Sequence, residues 1–460
     1  MIYKLMFCFL LVATQAKAMD DSAVIVGGGL AGLVAAHFSP EPLRVFDARH
    51  DFGGRVKTHR AASWGYEEGG TFIDNDHNEM KDLCEGFRLP LDKITFADKI
   101  TTIFYHQEPV NFKDAQAVVR TAAQSIRDMI SEHEKDNSID IKSSKAYAQL
   151  DDMAKAALDT YTLDFYGIGF EQFSISALKH YNLVDKFEAI AVFLGLERTQ
   201  DNVDKLNKSF FNYTIQGGED RIIEKLVDSL VKRNVKLYRQ HVLKKINKIA
   251  DSYELYFERK GDMVVVRSKK VLITLPFSVL RDVDIDISVP LTQFQRQAIA
   301  NLSYGQHIKI GVPLQGQIPL QEKMLLHIDL DNKVTSWPGT NALTIFAGGR
   351  EWNGQNQEQL RALVLETIMN MQHAYDSTLS FTTFEFHDWN VDPYSKGSYS
   401  TMSKESKAYY VVDPMDARRW LFAKSPDNQL YFAGEHTMAD DSQAYQEGAV
   451  RSAKIVASIW

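Results

Sequence analysis

The sequence predicts an α/β protein in which a Rossmann-like nucleotide-binding domain is interleaved with a second domain of mixed sheet and helices. Residues 24–26 are a short apolar strand that runs into Gly27-Gly28-Gly29-Leu30-Ala31-Gly32. An apolar helical segment follows, and a second apolar strand at residues 43–46 ends on Asp47, 20 residues after Gly27. A strand, a G-x-G-x-x-G turn, a helix and a strand that ends on an acid open a dinucleotide-binding fold.

Each glycine of this turn has its own predicted task. Gly27 permits the tight turn, Gly29 lets backbone amides approach a pyrophosphate, and Gly32 lets the helix pack closely against the strand. The start of the helix presents unpaired N–H groups and the positive end of its dipole to the phosphates. Asp47 stands where a carboxylate binds ribose hydroxyls. A glycine-rich turn in an ordinary α/β unit is the alternative, and it leaves Asp47 unexplained.

The composition is that of a globular protein large enough for two or three domains. The chain has 460 residues, of which 45% are hydrophobic and 24% are charged, and its formal net charge is −8. This length exceeds what one hydrophobic core usually supports. No basic run and no stripe of basic and aromatic residues occurs, which argues against a nucleic-acid partner.

The first 18 residues have the pattern of a secretory signal peptide. Lys4 precedes an unbroken apolar run over residues 5–13, and Ala16-Lys17-Ala18 forms an A-x-A cleavage site. The run is too short to span a bilayer, so we expect an exported protein, periplasmic or secreted, without stable membrane insertion after cleavage. A buried N-terminal strand and an uncleaved anchor remain alternatives.

Cysteine usage fits an exported chain held together by packing and a cofactor. Only Cys8 and Cys84 occur, and Cys8 leaves with the leader. The mature chain can therefore form no internal disulfide and no C-x-x-C metal or redox site. We predict no metal site.

Changes in pattern divide the rest of the chain. Residues 20–78 are predicted as the first part of the cofactor domain, with the glycine pairs of Gly53-Gly54-Arg55 and Gly69-Gly70-Thr71. Residues 79–207 have helical periodicity and many aromatics, which predicts the mainly helical first part of an inserted second domain. Residues 208–287 return to the cofactor domain, 288–403 form the second part of the inserted domain, which the family resemblance given below makes the substrate domain, and 404–460 complete the cofactor domain.

The last segment, like the first, predicts a strand that ends on an acid and is followed by the start of a helix. An apolar strand at residues 430–433 ends on Gly434 and Glu435, and a helix with an apolar face then opens near Gly448 and Ala449. A helix that begins beside a strand end forms a second site for an anion or a carbonyl oxygen, because its dipole is positive there.

These blocks, in this order, resemble the flavin-containing amine oxidase family, which includes monoamine oxidases, polyamine oxidases and L-amino-acid oxidases. The resemblance covers essentially the whole chain after the leader. Besides the opening turn it rests on Gly53-Gly54-Arg55, Gly69-Gly70, Gln216-Gly217-Gly218, Leu275-Pro276, Tyr304-Gly305 through Lys309, Gly397 through Ser400, Ala433 through Thr437, and Tyr445 through Ala449.

The resemblance implies the two-domain amine oxidase architecture with FAD as the cofactor. By it, Gly27, Gly29 and Gly32 hold the pyrophosphate, and Asp47 binds the adenosine ribose, although glutamate is commoner there. Arg55 lies near the flavin-side phosphate. The remaining contacts implied on this side are Ala31, Ala48, Gly54, Gly70, Thr71 and Val242, the last through its backbone to the adenine.

On the flavin side, the resemblance makes Glu435 the acid that binds the ribityl chain, next to Gly434. The helix that opens at Gly448 and Ala449 would face the pyrimidine carbonyl, where its dipole favours negative charge on the reduced ring. Members with covalently attached flavin carry a cysteine just before the position of Tyr399. This chain has Ser398 there, which predicts noncovalent FAD.

Lys309 matches the family lysine that stands beside flavin N5, holds a water and assists the reaction with oxygen. From pattern alone, a cation between Ile308 and Ile310 is either the polar face of a strand or a buried functional group. Tyr399 and Tyr445 match the two aromatic residues that flank the approach to the flavin, and Trp389 matches a further aromatic of that pocket. The resemblance therefore names Lys309, Tyr399, Tyr445 and Trp389 as catalytic-site residues.

The function implied is an FAD-dependent oxidase that takes a hydride from the amine-bearing carbon, with a small-molecule amine and O2 as partners and H2O2 as a product. A related desaturase or a protoporphyrinogen-oxidase-like enzyme is the alternative, and a non-catalytic flavin-binding module is a second one. The sequence leaves open whether the amine is a monoamine, a polyamine or an amino acid. It also leaves the oligomeric state open.

Overall fold

The computed structural model describes residues 22–94, 100–132, 140–184, 187, 213–316, 324–339, 341–375, 378–406, 424–438, 440 and 442–460. Its strands, in chain order, are β1 Ala23–Val26, β2 Leu43–Phe46, β3 Thr58–Arg60, β4 Gly65–Glu67, β5 Leu91–Lys93, β6 Ile100–Tyr105, β7 Glu108–Pro109, β8 Tyr213–Ile215, β9 Lys236–Tyr238, β10 Val242–Ile249, β11 Ser252–Arg259, β12 Asp262–Ser268, β13 Val271–Ile273, β14 Asp284–Ile285, β15 Ser303–Tyr304, β16 His307–Pro313, β17 Met324–Asp329, β18 Val334–Gly339, β19 Ala342–Gly348, β20 Glu385–Asp388, β21 Ser400–Thr401 and β22 Leu430–Phe432.

The α-helices are α1 Leu30–Phe38, α2 Asn78–Gly86, α3 Phe112–Glu132, α4 Lys145–Ala148, α5 Asp152–Tyr166, α6 Ile175–His180, α7 Arg221–Lys232, α8 Phe277–Leu280, α9 Gln293–Asn301, α10 Gln357–Tyr375 and α11 Gln446–Ile459. The predicted leader, residues 1–18, lies outside the described residues. Within the part of the chain that the structure describes, no helix has the length and apolar composition needed to cross a bilayer.

Five parallel strands form the central sheet, in the order β22-β13-β1-β2-β9. They come from three separate parts of the sequence, residues 23–46, 236–273 and 430–432. Parallel strands that are buried on both faces are continuously apolar, as β1 (AVIV) and β13 (VLI) are. The predicted α/β fold with an interleaved nucleotide-binding domain is confirmed, whereas the residue boundaries of the domains stay predictions.

Helices cover one face of the central sheet and a second sheet covers the other. Ile25 and its neighbours pack against α1, α2, α7 and α11. Val24 and Val26 point the other way, because side chains alternate along a strand, and they pack against the antiparallel strands β10, β11 and β12. The buried residues Met80 and Leu83 of α2 share the helical-side core, so packing joins α2 to the nucleotide-binding domain although it spans the predicted boundary at residue 78.

A seven-stranded sheet, in the order β20-β16-β19-β18-β17-β6-β7, forms the base of the second domain. Lys309 on β16, Phe346 on β19 and Thr335 on β18 are paired across three neighbouring strands and therefore form one row. Ile308 and Ile310 lie on the opposite face and pack with the apolar residues of α10. One face of this sheet is therefore covered by α10, and the other face, which carries Lys309, lines a cavity.

Helices α3, α4, α5 and α6 form a separate helical core beside this sheet. The periodicity over residues 115–130 predicts a helix, and α3 confirms it. The pattern of residues 288–403 predicts strands at 307–312, 342–347 and 382–387 and a helix at 357–374, and these correspond to β16, β19, β20 and α10. A further helical pattern extends over residues 150–206, of which residues 185–186 and 188–206 lie outside the described part of the chain.

Candidate active site

One cavity is lined by residues of both the central sheet and the seven-stranded sheet. It brings together most of the residues that the sequence analysis named: Gly27, Gly29, Ala31, Asp47, Ala48, Gly54, Arg55, Gly70, Thr71, Val242, Lys309, Trp389, Tyr399, Gly434, Glu435, Tyr445 and Ala449. Gly32 and Gly448 do not line it, and both instead occupy positions of close packing.

The glycine-rich turn leaves free amides at the start of α1. Gly27 adopts a φ of +108°, which favours glycine, and its N–H donates to the carbonyl of Phe46 over 2.8 Å. Gly29 is the N-cap of α1, and as a glycine it has no side chain to cap the helix. Among the described residues, the first N–H groups of α1 therefore have no acceptor from their N-cap, which suits them to bind an anion.

Gly32 allows the helix to lie against this turn. A Cβ atom at this position would come within 1.9 Å of the carbonyl oxygen of Gly27. Since that neighbour is backbone, it cannot move aside without disturbing the turn. Gly32 thus has the packing role predicted for the third glycine, and its contribution to the pyrophosphate site is through the position of α1.

Asp47 supports the same turn from the end of β2. Its two carboxylate oxygens accept hydrogen bonds from the N–H groups of Gly28, over 2.6 Å, and Arg49, over 2.7 Å. Burial raises the pKa of Asp47, and these two backbone donors oppose the rise. Each oxygen keeps a lone pair for a hydroxyl group, so the geometry is compatible with the predicted ribose contact.

Arg55 and Glu435 form a buried ion pair on the cavity wall. Nη1 of Arg55 donates to Oε1 of Glu435 over 2.8 Å and to the carbonyl of Ser398 over 2.7 Å. Glu435 also accepts from the hydroxyl of Ser400 over 2.6 Å and from the N–H of Ala444 over 3.0 Å. Burial opposes ionisation of Glu435, but Arg55 and these donors hold its pKa below the usual value.

A second uncapped helix start lies at α11. Tyr445 is its N-cap, and the side chain of Tyr445 does not accept from the first N–H groups of the helix. Gly448 lies in the first turn, where a Cβ atom would come within 2.2 Å of the carbonyl oxygen of Ser442. Gly448 is therefore needed for close packing, whereas Ala449 lines the cavity.

Lys309 points from β16 into the cavity and is only 6% exposed. Its ammonium donates to the carbonyl of Gly69 and to the hydroxyl of Thr71, each over 2.5 Å, and lies over the rings of Trp337 and Phe346. Burial lowers the pKa of Lys309 to about 8, and three nearby acids oppose the shift. Of the two interpretations left open by the pattern, the structure supports a buried cation.

Those acids include the neighbours Glu219, which is buried, and Glu67, which is half-buried, and neither is among the predicted site residues. Glu219 accepts from the N–H of Ile215 over 2.9 Å and from Nε2 of Gln446 over 3.1 Å, and Glu67 accepts from the N–H of Glu219 over 3.1 Å. Burial raises the pKa of Glu219 to about 8 and that of Glu67 to about 7. Glu219 directly follows Gln216-Gly217-Gly218, and this position beside a block of the family resemblance is the sequence feature that could have indicated it as a site residue.

The predicted aromatic residues have distinct environments. The hydroxyl of Tyr399 donates to the main-chain carbonyl of Asp164 over 3.1 Å, and its ring lies 4.9 Å from that of His307. The indole N–H of Trp389 donates to the carbonyl of Glu68 over 2.7 Å, which anchors the backbone just before Gly69. All three predicted aromatics, Tyr399, Tyr445 and Trp389, line the cavity, while their catalytic roles stay predictions.

Other residues of β16, β18, β19 and α5 also line the cavity but were not predicted as site residues. The aromatic residues in the helical pattern over residues 150–206 are interpreted as core residues rather than ligand contacts, yet Phe165 lines the cavity. Tyr161 and Tyr166 belong to the helical core, as expected. Further lining residues near Lys309 include Asp164, His307, Leu326, Thr335, Trp337 and Phe346. Alternation with Lys309 could have indicated His307, whereas the contributions of β18, β19 and α5 required the register between elements.

The sequence matches the family described as flavin containing amine oxidoreductase over residues 30–459. The chain therefore belongs to this family of flavoprotein oxidoreductases. It is 24% identical to the flavin-dependent L-tryptophan oxidase of Lentzea aerocolonigenes, over 93% of this chain and 95% of that protein. It is 21% identical to the pseudooxynicotine dehydrogenase of a Pseudomonas species, over 95% and 86% of the two chains.

Solved oxidase structures share the fold. The cyclohexylamine oxidase from Brevibacterium oxydans aligns with a TM-score of 0.72 at 16% identity, over 95% of this chain and 98% of that chain. A putrescine oxidase with bound putrescine aligns with a TM-score of 0.71 at 15% identity, again over 95% and 98%. At this identity the likeness establishes the two-domain fold alone.

Membership of this family gives the chain an FAD cofactor, and the cavity fits that group. The uncapped starts of α1 and α11 offer N–H groups to phosphate and carbonyl oxygens. The backbones of Gly29 and Gly54 approach closely, since a Cβ on Gly54 would lie 3.2 Å from the Cα of Gly29. Cys84 is buried in the core on the helical side of the central sheet and does not line the cavity, which agrees with noncovalent binding.

Proposed function

We propose that the protein is an amine oxidase that uses molecular oxygen. The overall reaction converts an amine, O2 and water into an aldehyde or ketone, ammonia or a smaller amine, and H2O2. FAD, when bound, supplies the chemistry of accepting a hydride and returning electrons to oxygen. The observation that carries the proposal is Lys309, a buried cation held beside Gly69-Gly70-Thr71 in a cavity that Tyr399 and Tyr445 also line.

The residues of the cavity suit an amine that reacts in its neutral form. Tyr399, Tyr445 and the rings of Trp337 and Phe346 exclude water and disfavour the ammonium form at the reacting position. Lys309 places a positive charge where negative charge develops during oxygen reduction. The start of α11 contributes a positive dipole end to the same cavity. These features support hydride removal followed by reaction with oxygen.

The substrate proposal is a primary or secondary amine rather than an α-amino acid. Arg49 and Arg55 are the arginines among the described lining residues, and each is already paired, with Asp392 and Glu435 respectively. A substrate carboxylate would therefore have no free guanidinium among them. Relatives are named for L-tryptophan and pseudooxynicotine, and solved neighbours for cyclohexylamine and putrescine, so the comparisons cover both kinds of substrate.

The test is anaerobic mixing of the purified mature protein with amines while the flavin absorbance is followed. The panel contains putrescine, spermidine, tyramine, benzylamine and L-amino acids. Bleaching by an amine, followed by recovery of the oxidised spectrum and H2O2 release on admitting air, is the expected result. Bound flavin that none of these compounds bleaches would favour the desaturase-like or non-catalytic alternatives.

We also propose export through the leader at residues 1–18. The support is the sequence pattern of Lys4, the apolar run and Ala16-Lys17-Ala18. Expression with the native leader, followed by N-terminal sequencing of the exported protein, should give a mature chain that begins at Met19. A retained leader on membrane-associated protein would instead support the uncleaved anchor.

A further inference from the structure

Asp164 is a buried carboxylate on the cavity wall that the proposed reaction has not yet used. It lies in the last turn of α5, and the helix ends at Gly167, whose φ of +65° turns the chain away. Asp164 is 9% exposed and lines the cavity together with Lys309 and Tyr399. Its position therefore follows from how α5 ends against the seven-stranded sheet.

The side chain of Asp164 is fixed through one oxygen and open at the other. Oδ2 accepts a hydrogen bond of 2.5 Å from the hydroxyl of Thr335. Oδ1 is buried and has no hydrogen-bond partner among the described residues. A buried carboxylate oxygen without a donor is costly, because it has lost its water and gained nothing in return. Because the hydrogen bond to Oδ2 fixes the carboxylate at the cavity wall, Oδ1 is suited to accept a hydrogen bond from an N–H group of a ligand.

The other polar groups near Asp164 already have hydrogen-bond partners. Nε2 of His307 donates to the carbonyl of Leu163 over 2.7 Å, and Nδ1 accepts from the hydroxyl of Ser398 over 2.6 Å. Burial lowers the pKa of His307 to about 3, so this ring is neutral and cannot serve as the counter-ion. Lys309 is held by Gly69 and Thr71, on the side of the predicted flavin position.

Oδ1 offers a substrate ammonium group an acceptor that no described residue occupies. The faces of Trp337 and Phe346 already hold the ammonium of Lys309, so binding of a substrate cation depends on Asp164 rather than on these rings. An amine arrives from water mostly as an ammonium ion, yet it must be neutral before it can release a hydride. A group in the cavity that accepts one proton would connect these two requirements.

We propose that Asp164 is a catalytic residue that binds the ammonium group of the substrate through Oδ1 and accepts one of its protons. The N–H bond breaks, its proton forms the O–H bond on Oδ1, and its electron pair stays on nitrogen, leaving a neutral amine beside a neutral carboxylic acid. No redox change occurs in this step. The inference rests on the proposed amine oxidase function and assigns it a base.

The protonation chemistry of Asp164 agrees with this role. Burial raises its pKa to about 8, while the Thr335 hydroxyl and Lys309 oppose the rise. A base with a pKa near the working pH transfers protons efficiently in both directions. The titratable groups that face Asp164 are Lys309 and His307 on β16, Tyr399, and Tyr161 on its own helix.

The test compares the pH dependence of flavin reduction in wild type, Asp164→Asn and the control Glu67→Gln. Glu67, like Asp164, raises the pKa of Lys309, but it does not line the cavity, so an effect that passes through Lys309 would appear in both variants. Reduction is measured anaerobically at limiting concentrations of two amines that have different solution pKa values.

For Asp164→Asn we expect a rate lower by about 10- to 100-fold at pH 7. Below the solution pKa of each amine its rate should fall by about tenfold per pH unit, because only amine that is already neutral can react. The two amines should therefore give profiles displaced by the difference in their pKa values. Wild type and Glu67→Gln should lose rate only below about pH 8, where Asp164 itself becomes protonated, and their profiles should depend less on the amine.

An Asp164→Asn profile that coincides with the wild-type profile, or a Glu67→Gln profile that shows the same loss, would overturn the proposal. If Asp164→Asn does not fold, Thr335→Val is the second variant, because it keeps the Asp164 carboxylate. Loss of the Thr335 hydroxyl donor should raise the pKa of Asp164 and move the ascending limb of the pH–rate profile to higher pH. An unmoved limb there would contradict the assignment. Failure of the proposed function is distinguishable, since wild-type flavin would then not be bleached by any amine.

Discussion

Arg55 and Glu435 lie 380 positions apart in the sequence and meet in a buried ion pair of 2.8 Å on the cavity wall. Glu435→Gln removes the counter-charge and leaves the half-buried guanidinium of Arg55 without it. Breaking a buried pair costs about 3–5 kcal/mol, and we expect the lower end because the Arg55 side chain keeps 23% exposure. Urea unfolding of the apoprotein and titration with FAD should show lower stability and weaker FAD binding.

Glu254→Gln is the matched control for this variant. Glu254 is also a buried carboxylate paired with an arginine, Arg267, but it lies on β11 and does not line the cavity. It should lower stability without changing FAD affinity. Equal FAD affinity in the two variants would contradict the cofactor role of Glu435.

Gly29 and Gly32 should respond differently to alanine. The backbone of Gly29 has φ −76° and ψ −177°, which any residue adopts, so Gly29→Ala should leave the apoprotein stable and weaken FAD binding by crowding the pyrophosphate. Gly32→Ala places a Cβ within 1.9 Å of the carbonyl oxygen of Gly27 and should lower the apoprotein Tm. Thermal melts with and without FAD separate the effects, and similar apoprotein Tm values for both variants would refute the distinction.

Lys309→Met should slow reoxidation of the reduced enzyme by oxygen by about 100-fold, because a buried cation that stabilises developing negative charge is lost. Reduction by the amine should change less. Stopped-flow mixing of reduced enzyme with oxygenated buffer measures the step directly. Lys333→Met is the control, since Lys333 pairs with Asp159 and does not line the cavity. An unchanged rate of reoxidation in Lys309→Met would show that Lys309 does not assist the reaction with oxygen.

Glu219 should make the protein less stable as pH rises from 4.5 to about 8. Its pKa is about 8 when folded and 4.5 when unfolded, so in this window the folded state holds a proton that the unfolded state has released. Glu219→Gln removes this dependence, and the decline of its Tm from pH 5 to pH 8 should be smaller than that of wild type. Glu224→Gln, an exposed change on α7, should keep the wild-type slope. Parallel wild-type and Glu219→Gln curves would argue against a protonated Glu219.

Flavin should be released completely when the protein is denatured by acid. Ser398 cannot form the thioether of covalent members, and Cys84 is buried in the core away from the cavity. Precipitation followed by spectroscopy of the supernatant measures the released flavin. Yellow colour retained in the washed pellet would show covalent attachment.

The sequence by itself determined the nucleotide-binding half of the molecule. The turn from Gly27 to Gly32 and the acid at Asp47 are local, since a tight turn, a helix start and a strand end depend on neighbours along the chain. The order of the later blocks then led to the family, and through it to Arg55, Lys309, Tyr399 and Glu435.

The tertiary structure alone decided which side chains share the cavity wall. The row of Lys309, Phe346 and Thr335 depends on the register between strands, and Thr335 then orients Asp164 from a helix that lies far away in sequence. An isolated Asp in the helical pattern of α5 gives no sign of an unpartnered oxygen. Burial and pairing are properties of the packed chain, because desolvation and hydrogen bonding depend on residues brought together from distant segments.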